Sequence, residues 1–245
     1  MVNLSICDFE KRKDFLIYNL GKITLAFSTA EKDRSFNRNT SYGIDNLNSI
    51  KNEFRLQDVI YLNQIHSDKA YIYDESYTNI KEEEGDSLIT DELNVAIGVF
   101  TADCVPIIIA DEKSNVIAAI HSGWKGTYNS IVLKTLSKIE EGFNINKNET
   151  KVFIGPHIRK CCYEVSEELK EKFLLKTKID EYKLFDGRKL SMQECILNDI
   201  RNFGINEDNI YSLNLCTHCE RDTKLYSYRK SEGTYGRLFS FTFIK

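Results

Sequence analysis

The sequence predicts an α/β (α+β) fold with mixed sheets, on three observations. Short apolar or alternating runs bounded by turn residues outnumber amphipathic stretches, the three stretches of helical periodicity come late in the chain, and no repeat or low-complexity segment interrupts either. With 245 residues, 42% hydrophobic and 11% aromatic, the chain can bury a full core. Only Pro106 and Pro156 occur and no Pro/Gly/Ser-rich linker is visible, so residues 1–245 read as a single domain.

Residues 22–28 (KITLAFS) alternate and read as a strand, whereas 29–52 is rich in Asn and Ser and reads as a long loop. A loop of that length in a compact domain usually serves a site. Residues 58–64 (DVIYLNQ) read as a strand delivering His66, 69–74 as another, and SLIT after Gly85-Asp86 as a short third. The runs 95–100, 105–110 and 116–120 are apolar enough to be buried strands. Val132, Leu136 and Ile139 place one face of a helix over 127–141. Residues 151–154 form a strand closed by Gly155-Pro156. Ser166 caps a helix through Leu175, with Glu167 and Glu168 in its first turn. Ser191 and Glu194 suggest a capping box for a helix that buries Met192, Ile196, Ile200 and Phe203 and stops at Gly204. Residues 210–215 and 238–244 close the order as strands.

Charge narrows the partners. A formal net charge of -4, with both signs spread throughout, offers no electrostatic footprint for nucleic acid or an anionic membrane. The first residues, MVNLSICDFEKRKDF, have no apolar core of signal-peptide length, and no run approaches a membrane span, so a cytoplasmic protein is expected. Seven unevenly spaced cysteines in a chain this large point to reduced thiols or metal ligands rather than a disulfide framework.

The stretch 100–127, FTADCVPIIIADEKSNVIAAIHSGWKGT, concentrates the chemistry. Cys104 and His121 stand at the ends of apolar strands, as does His66. Two imidazoles and a thiolate suit zinc or copper, and three protein ligands leave a fourth position open. The same residues also fit a metal-free pair, Cys104 as nucleophile and His121 as base, with Asp103 or Gln64 orienting or lining an oxyanion hole. A plain buried thiol and core histidine are the third reading. Asp86 could orient a metal-bound histidine. Arg229 could grip a phosphate or carboxylate, and the helix start at Gly126 could attract an anion. Cys216-Thr217-His218-Cys219 has no second CxxC partner and Cys161-Cys162 could bridge only with strain, so structural thiols are expected there rather than a metal. His157 is expected to satisfy a loop carbonyl.

Taken together, NQIHSD at His66, GDSLIT at Asp86, TADCVPI at Cys104, AAIHSGWKGT at His121, IGPHI with CCYEV, and YSYRKSEGTYGR resemble the laccase-domain family, whose members have been called multicopper polyphenol oxidoreductases and purine nucleoside phosphorylases. The resemblance runs in order from about Lys22 to the C-terminus. It implies four layers, α/β/β/α, similar to the catalytic domain of cytotoxic necrotising factors, and a zinc site at His66, Cys104 and His121. It further implies phosphorolysis of adenosine, inosine, guanosine and methylthioadenosine, and deamination of adenosine. Purine nucleosides and phosphate are then the partners; the residues suited to such chemistry are Asp103 or another carboxylate for moving protons and Gln64 and Arg229 for contacting substrate. In the older reading copper occupies the same site, but four histidines in all are too few for a histidine-rich four-copper laccase.

Overall fold

Two mixed β-sheets lie face to face between helical layers in the computed structural model, which describes residues 1–231 and 236–245. The middle of the YSYRKSEGTYGR stretch therefore lies outside the described residues. The first sheet has seven strands in the order Val2–Leu4, Ile210–Leu213, Lys151–Ile154, Val105–Asp111, Val116–Ser122, Ser87–Thr90 and Ala70–Ile72. The second has six, in the order Glu10–Arg12, Phe15–Leu20, Ile23–Ser28, Leu238–Ile244, Val95–Thr101 and Asp58–Ile60.

Side-chain alternation along the central strands builds the layers. Val105, Ile107 and Ile109 pack with Val132, Leu136 and Ile139 of helix Ile131–Gly142 and with Ile196 and Ile200 of helix Met192–Phe203. Ile108 and Ala110, at the alternate positions, join Leu25, Phe27, Ile97 and Val99 between the sheets. The outer face of the second sheet, Phe15, Ala26, Phe239, Phe241 and Phe243, is covered by Leu47, Ile50 and Phe54 of helix Ser41–Phe54. The result is the expected α/β/β/α stack.

That last helix corrects the sequence reading, which took 29–52 for a loop. Thr40 caps it by accepting from the Gly43 amide at 3.1 Å, and Leu47, Ile50 and Phe54 share one face. Asn and Ser are poor helix formers, and burial against the phenylalanine sheet outweighs them. Asn46 survives inside because its amide donates to Ser35 O at 2.9 Å. The helix read over 127–141 is in fact two. A single turn, Trp124–Tyr128, is followed by Ser130 at φ +57°, and Ile131–Gly142 starts afresh after it. The strand read over 58–64 stops at Ile60, and three strands before Ile23 had no sequence expectation.

The sheet sandwich positions the site at one end. Strand Val95–Thr101 belongs to the second sheet and Val105–Asp111 to the first, so Ala102-Asp103-Cys104 is a three-residue link that switches sheets. Val105 pairs with Ser122 and Pro106 with His121, which sets Cys104 against the turn at Gly123.

Candidate metal centre

His66, Cys104 and His121 converge. Their ligand atoms all lie within 4.8 Å of one another, and Cys104 Sγ is 3.7 Å from His66 Nε2. The imidazole rings stand edge to face at 4.8 Å between centroids. Gly123 is required for this approach, because a Cβ there would sit 2.7 Å from the His66 ring and 3.1 Å from Cys104 Sγ.

Asp86 organises the cluster from beneath. Wholly buried, it takes His121 Nδ1 at 2.7 Å, the His66 amide at 3.1 Å, and the Ser67 amide and hydroxyl at 2.6 Å each. Its own carbonyl accepts from the His121 amide at 2.7 Å. Engaging Nδ1 of His121 with a carboxylate leaves Nε2 for the cluster, the usual device for fixing a metal-binding imidazole. Burial acts to raise the Asp86 carboxyl, but His121 and Ser67 outweigh it and hold it below the ordinary carboxylate range.

The same balance polarises the ligands. Burial would raise the Cys104 thiol, yet His121 and His66 draw it down to about 6. Burial would lower His121, yet the Cys104 sulfur and Asp86 lift it to about 9. Both shifts favour a thiolate beside an imidazolium in the metal-free site. A tetrahedral zinc with these donors needs separations of about 3.3–3.6 Å, so a small contraction of the set accommodates the ion. Exposure is graded, with His121 buried, Cys104 partly so and His66 open, and the cluster faces solvent on one side.

That side opens into a cavity of about 670 Å³, within the usual range of small-molecule sites. Arg38, Arg229 and Arg237 line it together with Phe100, Trp124 and Tyr163. Arg38 donates to Leu62 O at 2.8 Å and to Asn63 Oδ1, and lies 6.0 Å from the centre of the Phe100 ring. Arg229 lies 5.1 Å from the centre of the Tyr163 ring and donates to Glu164 O at 3.0 Å. Burial, with Cys104 nearby, pushes the Tyr163 hydroxyl up to about 12, so it remains a donor.

The remaining sequence candidates have defined places. Asp103 sits in the cavity wall at φ +96°, a conformation costly for a non-glycine residue. Three contacts hold it there: Thr217 Oγ1 to Oδ1 at 2.6 Å, the Arg229 amide to Oδ2 at 2.8 Å, and the Ile158 amide to its carbonyl at 2.9 Å. Gln64 also lines the cavity, but both ends of its amide are spent on the Phe100 backbone, at 2.7 and 2.9 Å. Gly126 is buried inside the single-turn helix and does not line the cavity. His157 Nδ1 donates to Gly155 O at 2.8 Å, the loop-carbonyl role expected of it, and burial lowers its pKa to about 4.

Sequence reasoning missed Arg38, Arg237 and Tyr163. The signal for Arg38 was its place in a polar stretch too long to be idle. A second group was underrated. Cys161, Cys162, Cys216 and Cys219 bring four sulfurs within 4.8 Å of one another, where structural or incidental thiols were expected rather than a metal site.

Fold and site together define a class: a four-layer α/β protein with an imidazole–thiol triad, backed by a buried carboxylate, at the mouth of an arginine-lined cavity. Residues 24–245 match the model of the multi-copper polyphenol oxidoreductase laccase family, and the chain belongs to that family. A protein named purine nucleoside phosphorylase from Clostridium acetobutylicum is 42% identical over 231 residues, covering 94% of this chain and 96% of the relative. Another of that name from Borreliella burgdorferi is 37% identical over 191 residues, covering 76% and 79%. Among solved structures, the YfiH protein of Bacillus licheniformis superposes with a TM-score of 0.87 at 23% identity, over 97% of this chain and 99% of that one. YlmD of Geobacillus stearothermophilus gives 0.84 at 20% identity, over 97% and 98%. These two likenesses concern the fold. Among the described residues no helix is long and apolar enough to cross a membrane.

Proposed function

We propose that the protein is a purine nucleoside phosphorylase that carries zinc at His66, Cys104 and His121 and also deaminates adenosine. One observation carries the reading: the three donors share a cavity with Arg38, Arg229 and Arg237, so a metal-binding group and an anion-binding group meet across a space of nucleoside size. The names of the relatives from Clostridium acetobutylicum and Borreliella burgdorferi support the same substrate class.

Phosphorolysis requires a phosphate oxygen to attack the ribose carbon while the bond to the purine nitrogen breaks and its electron pair leaves with the base. Little else is needed beyond positioning and charge stabilisation. Guanidinium forks suit phosphate, and Arg229 is aimed by its own amide on Asp103 and by Glu164 O. We therefore assign Asp103 the positioning of Arg229, since both of its oxygens are engaged. Phe100 and Trp124 offer apolar faces to a flat base, and Gln64 fixes the Phe100 backbone. When bound, a divalent metal supplies Lewis-acid charge stabilisation and acidifies water, which also suits attack at purine C6. His121 can serve as a ligand because Asp86 holds its other nitrogen.

The reading is tested by incubating purified, zinc-loaded protein with adenosine, inosine, guanosine or methylthioadenosine, with and without phosphate. Free base and ribose 1-phosphate are expected only with phosphate, and inosine from adenosine without it. Undiminished turnover by Cys104→Ala would sink the assignment. The low thiol pKa of Cys104 beside His121 favours one other reading, a metal-free Cys–His amidase. Activity on amides that survives chelation and is lost on thiol alkylation would mark it.

A further inference from the structure

Cys161 and Cys162 follow strand Lys151–Ile154, and Cys216 and Cys219 follow strand Ile210–Leu213. The two strands are parallel neighbours, Val152 facing Ile210 and Ile154 facing Ser212, so the chain leaves both at the same edge of the sheet. Beyond the strands the segments stay paired: the His157 amide donates to Leu215 O at 3.2 Å, and the Thr217 amide to His157 O at 3.0 Å. Each segment then turns. The Cys162 amide reaches Arg159 O at 2.8 Å and the Glu220 amide reaches Cys216 O at 3.0 Å, which folds each pair of thiols toward the other.

Four sulfurs within 4.8 Å, one pair (Cys161 and Cys219) at 3.7 Å, match a tetrathiolate site. Sulfurs at about 2.3 Å from a tetrahedral zinc lie about 3.8 Å apart. A disulfide needs about 2.05 Å between sulfurs, and the adjacent Cys161 and Cys162 could form one only with strain. Arg159 and Lys160 stand beside the cluster, where they offset the net negative charge of a divalent ion with four thiolates.

We propose that Cys161, Cys162, Cys216 and Cys219 form a second metal centre, a closed tetrathiolate site for zinc or a similarly thiophilic divalent cation. Binding replaces four thiol protons, which pass to solvent, by four metal–sulfur bonds, with no change of oxidation state. The ion staples two segments that shape the cavity wall. One carries Ile158, Tyr163 and Glu164, and the other carries Thr217, whose hydroxyl holds Asp103. Its role is structural, because no donor position remains for substrate.

Zinc chloride is added to the reduced full-length protein, which is desalted, and its metal is counted by mass spectrometry. Two zinc ions per wild-type chain are expected, one in Cys216→Ser/Cys219→Ser, and one in Cys104→Ala/His121→Ala. Cobalt(II) loaded into Cys104→Ala/His121→Ala should give sulfur-to-metal charge-transfer absorption, since the four-thiol cluster is intact there. That spectrum decides the matter even where the double serine variant does not fold. No zinc in Cys104→Ala/His121→Ala, zinc content unaffected by the serine changes, no charge-transfer band, or a Cys161–Cys219 disulfide in protein purified without oxidant would each overturn the proposal, whereas one zinc in the wild type that the serine changes remove would count against the triad alone.

Discussion

Among the described residues, side chains able to ligate a metal come together in two clusters, and the two differ in donors, support and surroundings. The triad mixes two imidazoles with one thiol, draws them from the loop at His66, the sheet-switching link and strand Val116–Ser122, is braced by Asp86, and faces a cavity. The four-thiol group sits on two loop segments and offers a sulfur for every position of a tetrahedron. Three ligands leave room for chemistry, and four soft ligands leave none. The comparison teaches that ligand count and the space beside it, rather than the presence of ligating residues, separate a reactive centre from a structural one.

Removing a ligand should divide the two most sharply. His121→Ala should cut phosphorolytic kcat/KM by about 1,000-fold or more, equivalent to roughly 4 kcal/mol of transition-state stabilisation. Cys219→Ser should cost less than about tenfold in kcat/KM and instead lower the midpoint of thermal unfolding. Equal losses of activity from the two changes would erase the distinction.

Weakening the brace comes next. Asp86→Asn keeps the shape but loses the charge facing His121 Nδ1, and should lower zinc affinity at the triad by about 10–100-fold. Excess zinc should restore much of the activity. A loss that zinc cannot repair would place the role of Asp86 in folding.

A smaller effect is expected at the cavity. Arg229→Ala should raise the KM for phosphate by about tenfold, or roughly 1.4 kcal/mol, with a smaller change for the nucleoside. Equal shifts in both would move Arg229 out of the anion site.

Thiol chemistry sharpens the comparison without mutation. In metal-stripped protein the Cys104 thiol is drawn to about 6 by the two histidines, whereas burial, together with Cys216 and Cys219, outweighs the opposite pull of Cys162 and pushes Cys161 up to about 11. The thiolate is the nucleophile, so alkylation rises with pH through each value. Mass-spectrometric mapping with iodoacetamide should find Cys104 modified with a midpoint near pH 6, and Cys161 scarcely below pH 9. The reverse order would contradict the ion pair at the triad.

The two clusters were unequally legible. His66, Cys104 and His121 each lie beside an apolar run, and the run Val116–Ile120 leads directly into His121. The four thiols were not, because their meeting depends on Lys151–Ile154 lying parallel to Ile210–Leu213, a long-range pairing that neither run encodes locally. Helix Ser41–Phe54 was hidden for a related reason: its Asn and Ser residues argue for a loop, and only the phenylalanine-rich sheet beneath it decides otherwise. With it went Arg38, whose position in the cavity follows from where that helix begins.

Zinc add-back tests the central claim most directly. Wild-type protein stripped by chelation should release no hypoxanthine from inosine in the presence of phosphate, and zinc should restore release in proportion to occupancy of the triad. Full phosphate-dependent release by protein shown to contain no metal would contradict the account.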